Sequence, residues 1–124
     1  ELHIFTRGNL SQAKTALEKY VKIEVEKYLL TRVRELSTQM GTRYGTVTVR
    51  GQKTRWGSCS AQNNLNFNWH LAFMPLEVID YVIFHELTHT VHHNHSEKFY
   101  AMLQKFCPEY KKLRKTLKSS PHLF

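Results

Sequence analysis

Apolar residues recur at three- and four-residue steps from Leu10 through Ala13, Leu17, Val21, Val25, Leu29, Val33, Leu36 and Met40. That spacing predicts one long amphipathic helix starting near Asn9 or Ser11, with Lys14, Glu18, Lys22, Glu26 and Arg32 on its solvent side and Gly41 as its stop. The period then shortens to two. Val47 and Val49 alternate with polar residues between Thr46 and Arg50, and Leu65-Asn66-Phe67-Asn68-Trp69 alternates again. Between them Thr54 to Ser60 reads as a further short strand or bulged turn, with Gln62-Asn63-Asn64 closing a hairpin, so a small antiparallel sheet is expected.

From Pro75 the pattern becomes densely apolar. Leu76, Val78, Ile79, Val82, Ile83, Phe84 and Leu87 predict a buried helix that opens at the proline. Ser96 is placed to cap a helix carrying Phe99, Met102, Leu103 and Phe106, and Pro108 to open a last one with Tyr110, Leu113 and Leu117. The tail from Ser119 to Phe124 is expected to be loosely held. A long helix, a small sheet and further helices make an α+β class, and 124 residues at 41% hydrophobic composition suit a single domain over 1–124.

The buried helix carries the chemistry. His85-Glu86-Leu87-Thr88-His89 puts two imidazoles one turn apart on the same face, where both can reach one metal ion, and sets Glu86 beside the first ligand. In a chain with 8 histidines the motif arises easily by chance, so its place on an apolar helix is what gives it weight. A catalytic zinc takes three protein ligands and keeps a fourth position for water. Candidates for the third are His70, His92, His93, His95 and a later glutamate. On a straight helix His93 would lie about 12 Å beyond His85 and His92 about 10.5 Å, too far to share an ion. His95 can reach it only if the chain turns after His89, and Asn94 tolerates the left-handed conformation that such a turn around His93-Asn94 would use. His85, His89 and His95 are therefore the expected ligands of one Zn2+, with Glu97 and Glu109 as carboxylate alternatives. Glu86 is the expected general base in peptide hydrolysis. His92, His93 and Tyr100 are the candidates for an oxyanion donor or an outer-shell partner.

Charge and cysteine content refine the setting. The net charge of +8 gathers its cations between Lys98 and Lys118 and between Arg43 and Arg55, which admits nucleic acid as a partner beside a plain solvated surface. Cys59 and Cys107 cannot build a disulfide framework, and with no apolar span or secretory leader the expected location is cytoplasmic, away from the membrane. A chain that opens on Glu1 and not methionine is expected to be a processed product or the C-terminal part of a longer one.

Taken together, Arg55-Trp56-Gly57-Ser58-Cys59-Ser60, the run Val78 to Ile83 after Pro75, His85-Glu86-Leu87-Thr88-His89, and Asn94-His95-Ser96 with Phe99-Tyr100 closely resemble the YgjP-like branch of SprT-related zinc metallopeptidases. The likeness runs from about Arg50 to Leu117. It implies a minimal zincin fold, zinc on His85, His89 and His95, Glu86 as base, and an extended peptide or protein substrate added to an edge strand above the metal. Members of the family are usually longer, with a β-rich N-terminal segment. Metzincins share the histidine spacing but carry glycine where this chain has His92, and no methionine turn is identifiable here. Two other functions stay open at this point: a zinc-dependent nucleotide pyrophosphate hydrolase, and a protease associated with DNA in the SprT manner.

Overall fold

The computed structural model describes residues 10–52 and 54–120. Helix α1 (Leu10–Met40) leads into strand β1 (Val47–Arg50), strand β2 (Gly57–Cys59) and strand β3 (Leu65–Asn68). A 3-10 helix (Trp69–Phe73) follows, then α2 (Leu76–His89), α3 (Glu97–Phe106) and α4 (Tyr110–Ser119). The expected Asn9 cap and the last four residues of the tail lie outside the described residues.

Helix α1 ends where its glycine requires. Gly41 adopts φ 72°, and the amides of Gly41 and Thr42 bond back to the carbonyls of Thr38 and Ser37. This closing motif satisfies carbonyls that a helix end would otherwise leave unpaired. The apolar stripe is buried mainly along its C-terminal half, at Val25, Leu29, Val33, Leu36 and Met40, with Ala13 buried near its start. Leu10 is 75% exposed and Leu17 42% exposed, because there the helix faces only a hollow of about 790 Å3 shared with Trp69, His70 and Phe73. That hollow contains none of the metal-capable residues. Arg32, expected in solvent, instead turns onto α2: its Nε and Nη2 donate to the two carboxylate oxygens of Asp80 at 3.0 and 2.9 Å, and the Tyr28 hydroxyl joins at 3.1 Å.

The sheet is mixed, where an antiparallel one was expected. Its order is β1-β3-β2, with β2 and β3 forming the predicted hairpin while β1 runs parallel to β3 in the register Val47 to Leu65. Alternation reports which face a residue takes and says nothing of strand direction. The hairpin turn rests on Asn63 at φ 64°, a conformation asparagine tolerates. The connection from β1 to β2 is held by Asn68, which the alternation placed on a polar face but which is fully buried. Its side-chain amide donates to the carbonyls of Gln52 at 2.8 Å and Arg55 at 3.0 Å, and its oxygen accepts from the His70 amide at 3.0 Å. Buried polar atoms are thereby paired, and the loop carrying Arg55 and Trp56 is fixed to the sheet.

Helix α2 is the centre of the molecule, packed against α1, α3, α4 and β2. Val78, Ile79, Val82, Ile83 and Leu87 are buried in one core with Phe67, Leu71, Phe99 and Leu103. Pro75 stands at the cap, one position ahead of the expected first helical turn, and its carbonyl accepts from Val78 and Ile79. Ser96 caps α3 as expected, accepting from the Phe99 amide at 3.3 Å. Among the described residues no helix is long and apolar enough to cross a membrane.

Candidate metal centre

His85 and His89 project from the last turns of α2, one helical turn apart, and His95 comes to meet them from the segment before α3. One ring nitrogen from each lies within 4.8 Å of the other two. The Nε2 atoms of His89 and His95 are 3.0 Å apart. Two nitrogens at about 2.0–2.1 Å from a tetrahedral zinc would be separated by about 3.3 Å, so the donors need only a small adjustment to share an ion. The donor set is three neutral-capable imidazoles, the chemistry such a metal accepts.

The chain turns toward His95 earlier than expected and by a different device. Helix α2 ends at His89, Thr90 keeps an ordinary right-handed conformation, and the Thr88 carbonyl accepts from both Val91 and His92 amides at 3.0 and 2.9 Å. The Thr90 hydroxyl bonds the Leu87 carbonyl at 2.6 Å. Among the described residues Asn63 is the one non-glycine with positive φ, so Asn94 does not use the left-handed conformation expected of it. Side-chain bonding by threonine to the last helical carbonyls ends the helix first.

Outer contacts orient the histidine rings. His89 Nδ1 lies 3.1 Å from the His92 carbonyl, and with its proton there the Nε2 lone pair is left for a metal. His85 Nδ1 lies 3.2 Å from Glu86 Oε2, with the same consequence. Burial holds the His89 imidazole below the ordinary histidine pKa, against the opposing pull of the Glu86 carboxylate, which favours the neutral, ligating form. Phe99 is fully buried beneath the three rings, with centroid distances of 5.1, 4.5 and 5.0 Å to His85, His89 and His95.

Glu86 is 5% exposed and lies under β2. A Cβ on Gly57 would come within 3.2 Å of its Oε2 and 3.1 Å of Val82 Cγ1, so any side chain here would have to push these neighbours aside by a few tenths of an ångström. The cleft beside His85 and Glu86 measures about 590 Å3. Tyr81 lines it, one turn before His85 on the same helix face, and burial pushes its phenol up to about 12, so it enters the cleft as a protonated donor.

The other expected positions divide cleanly. Tyr100 stacks against the His95 ring at 6.2 Å, and His92 enters through its backbone carbonyl, while His93 is exposed. His70 stacks on Trp69 at 4.1 Å and bonds Asn68, outside the metal-capable cluster. Glu97 and Glu109 stand at exposed helix starts, and neither joins that cluster. Cys59 and Cys107 are free, and burial pushes both thiols up to about 11, so neither offers a thiolate at neutral pH. Gly57, Tyr81 and Phe99 line or support the cluster without having been given a role from the sequence, although all three lie in the segments that carry the family resemblance.

Three imidazoles lie close enough to share one metal ion, with the buried carboxylate of Glu86 in the next helical position and strand β2 lying across it. The chain belongs to the YgjP-like metallopeptidases: the model of the YgjP-like metallopeptidase domain matches residues 1–120. No curated protein matches the chain. Two solved structures share its fold, both metallopeptidase zymogens. Jannalysin of Methanocaldococcus jannaschii is 21% identical, with a TM-score of 0.63 over 71% of this chain and 91% of that one. Abylysin of Pyrococcus abyssi is 20% identical, with a TM-score of 0.65 over 72% of this chain and 90% of that one.

Proposed function

We propose that this metallopeptidase is zinc-dependent, with His85, His89 and His95 holding one zinc ion and Glu86 serving as the general base on an extended peptide. The observation that carries the reading is the convergence of three imidazole donors within 4.8 Å beside the buried carboxylate. A bound zinc supplies Lewis acidity, polarising the scissile carbonyl and lowering the pKa of water toward about 7. Glu86 accepts the proton of the attacking water on its carboxylate and then delivers it to the departing amine nitrogen. Its confinement beneath Gly57 holds that carboxylate in one place and excludes bulk water from one side. The Nδ1 contacts of His85 and His89 keep both rings turned toward the ion.

Among the described residues strand β2 pairs only with β3, which leaves an edge that an extended peptide can join by main-chain hydrogen bonds. Phe99 gives the ligand rings an apolar backing that water cannot enter.

Replacing Glu86 by Gln keeps the shape of the side chain and removes its basicity. The variant is expected to bind one zinc per chain, as measured by metal analysis, while hydrolysis of an unfolded protein substrate falls by about a hundredfold or more. Undiminished hydrolysis by metal-loaded Glu86→Gln would end the assignment of the base. Failure of His85→Ala to lose zinc would end the assignment of the ligands.

A further inference from the structure

The cleft beside Glu86 is strongly cationic. Arg55 lines it from the loop between β1 and β2, and Arg114 and Lys118, one turn apart on α4, line it as well. Among the described residues the only carboxylate lining it is Glu86 itself. Among the described residues the ion pairs are Lys27 with Glu24, Arg32 with Glu35 and Asp80, and His85 with Glu86, so none of the three cleft cations is neutralised. Three like charges gathered around one cavity repel one another, and they attract an anion entering it.

From this arrangement we infer that the enzyme selects peptides by a carboxylate seated next to the scissile bond and gripped by Arg55, Arg114 and Lys118. The inference rests on the peptidase reading of the neighbouring histidines and Glu86. Trp56, Val82 and Leu117 line the same cleft and give it apolar walls. Such walls suit a carboxylate carried on a short aliphatic stem, and guanidinium groups pair with carboxylates in a fork of two hydrogen bonds. Asn68 holds the Arg55 carbonyl at 3.0 Å, so this wall of the cleft is anchored to the sheet before any substrate arrives. The carboxylate can come from an acidic side chain or from the C-terminus of the peptide, since both present the same group.

The two sources separate in one set of peptides offered to the zinc-loaded full chain. Each carries Glu or Gln at successive positions around a fixed scissile bond, and each is made with a free or an amidated C-terminus. We expect kcat/KM to be at least about tenfold higher for peptides bearing the carboxylate at the favoured position. A Glu-to-Gln difference assigns the side chain, and an acid-to-amide difference assigns the C-terminus. In the double variant Arg114→Gln, Lys118→Gln the ratio is expected to fall toward one, and Arg55→Gln on its exposed loop repeats the measurement if changes to α4 compromise folding.

A second readout is binding of the same peptides to Glu86→Gln protein, where the preference should weaken as salt rises. If wild-type protein cleaves no peptide yet Glu86→Gln still binds the carboxylate form about tenfold more tightly, the peptidase reading fails and carboxylate selection stands. Equal kcat/KM across both substitutions, or a ratio unchanged in the cation variants, overturns the selection and leaves the peptidase reading intact. Displacement of a bound Glu peptide by a tighter-binding single-stranded oligonucleotide also overturns it, and assigns the cations to nucleic acid.

Discussion

Gly57 sets the distance between strand β2 and the carboxylate of Glu86. A methyl group there would press on Glu86 Cγ and Oε2, both 3.2 Å away, and on Val82 Cγ1 at 3.1 Å. Neither neighbour can retreat far: Glu86 is 5% exposed and Val82 3% exposed. Gly57→Ala is therefore expected to shift the carboxylate by a few tenths of an ångström and lower kcat by about tenfold, with a much smaller effect on KM. Steady-state kinetics together with the zinc content of the variant check this. A loss of zinc in parallel with activity would show that the strand supports the ligands and not the base.

Between elements, the critical joint is that of α1 with α2. The apolar half of α1 packs on the metal helix, and Arg32 and Tyr28 lock the register through the carboxylate of Asp80. The hydrogen bonds from Arg32 to Asp80 raise the guanidinium pKa, and burial and the same carboxylate raise that of the Tyr28 phenol. Arg32 is 34% exposed against 20% for Asp80, which leaves solvent to screen part of the attraction. Asp80→Asn is accordingly expected to cost about 1–2 kcal/mol in urea unfolding, more than an exposed pair but less than a fully buried one. A double-mutant cycle with Arg32→Met should return most of that loss as coupling.

Across the whole molecule, the proposed zinc ion would join two parts of the chain, the central helix and the segment before α3. His85 and His89 belong to the central helix, whereas His95 lies in the exposed segment between Thr90 and α3. Zinc binding is expected to raise the midpoint of thermal unfolding and to slow amide exchange over residues 89–99, leaving the C-terminal half of α1 unchanged. His95→Ala should abolish both effects. Protection that spread evenly over every helix would mean that zinc stabilises the fold as a whole and does not tether this segment.

Much of this is legible in the residue pattern. The apolar period of α1, the glycine that ends it, the dense run after Pro75 and the serine cap of α3 are local signals, written in side chains a few positions apart. The ligand pair His85 and His89 and the adjoining Glu86 belong with them, because an α-helix translates a spacing of four directly into a shared face. Axial distance on a straight helix disfavours His92 and His93, and a turn after His89 admits His95, although that turn is made by Thr88 and Thr90 and not by Asn94. Everything that depends on contacts between distant segments needed the folded chain. The parallel pairing of β1 with β3 is invisible to alternation, which carries no strand direction. So is the burial of Asn68, whose partners Gln52 and Arg55 come from another part of the chain. The approach of Gly57 to Glu86, the packing of Phe99 beneath His85 and His89, and the gathering of Arg55, Arg114 and Lys118 around one cleft were decided by tertiary packing, because only packing brings residues of separate elements to one place.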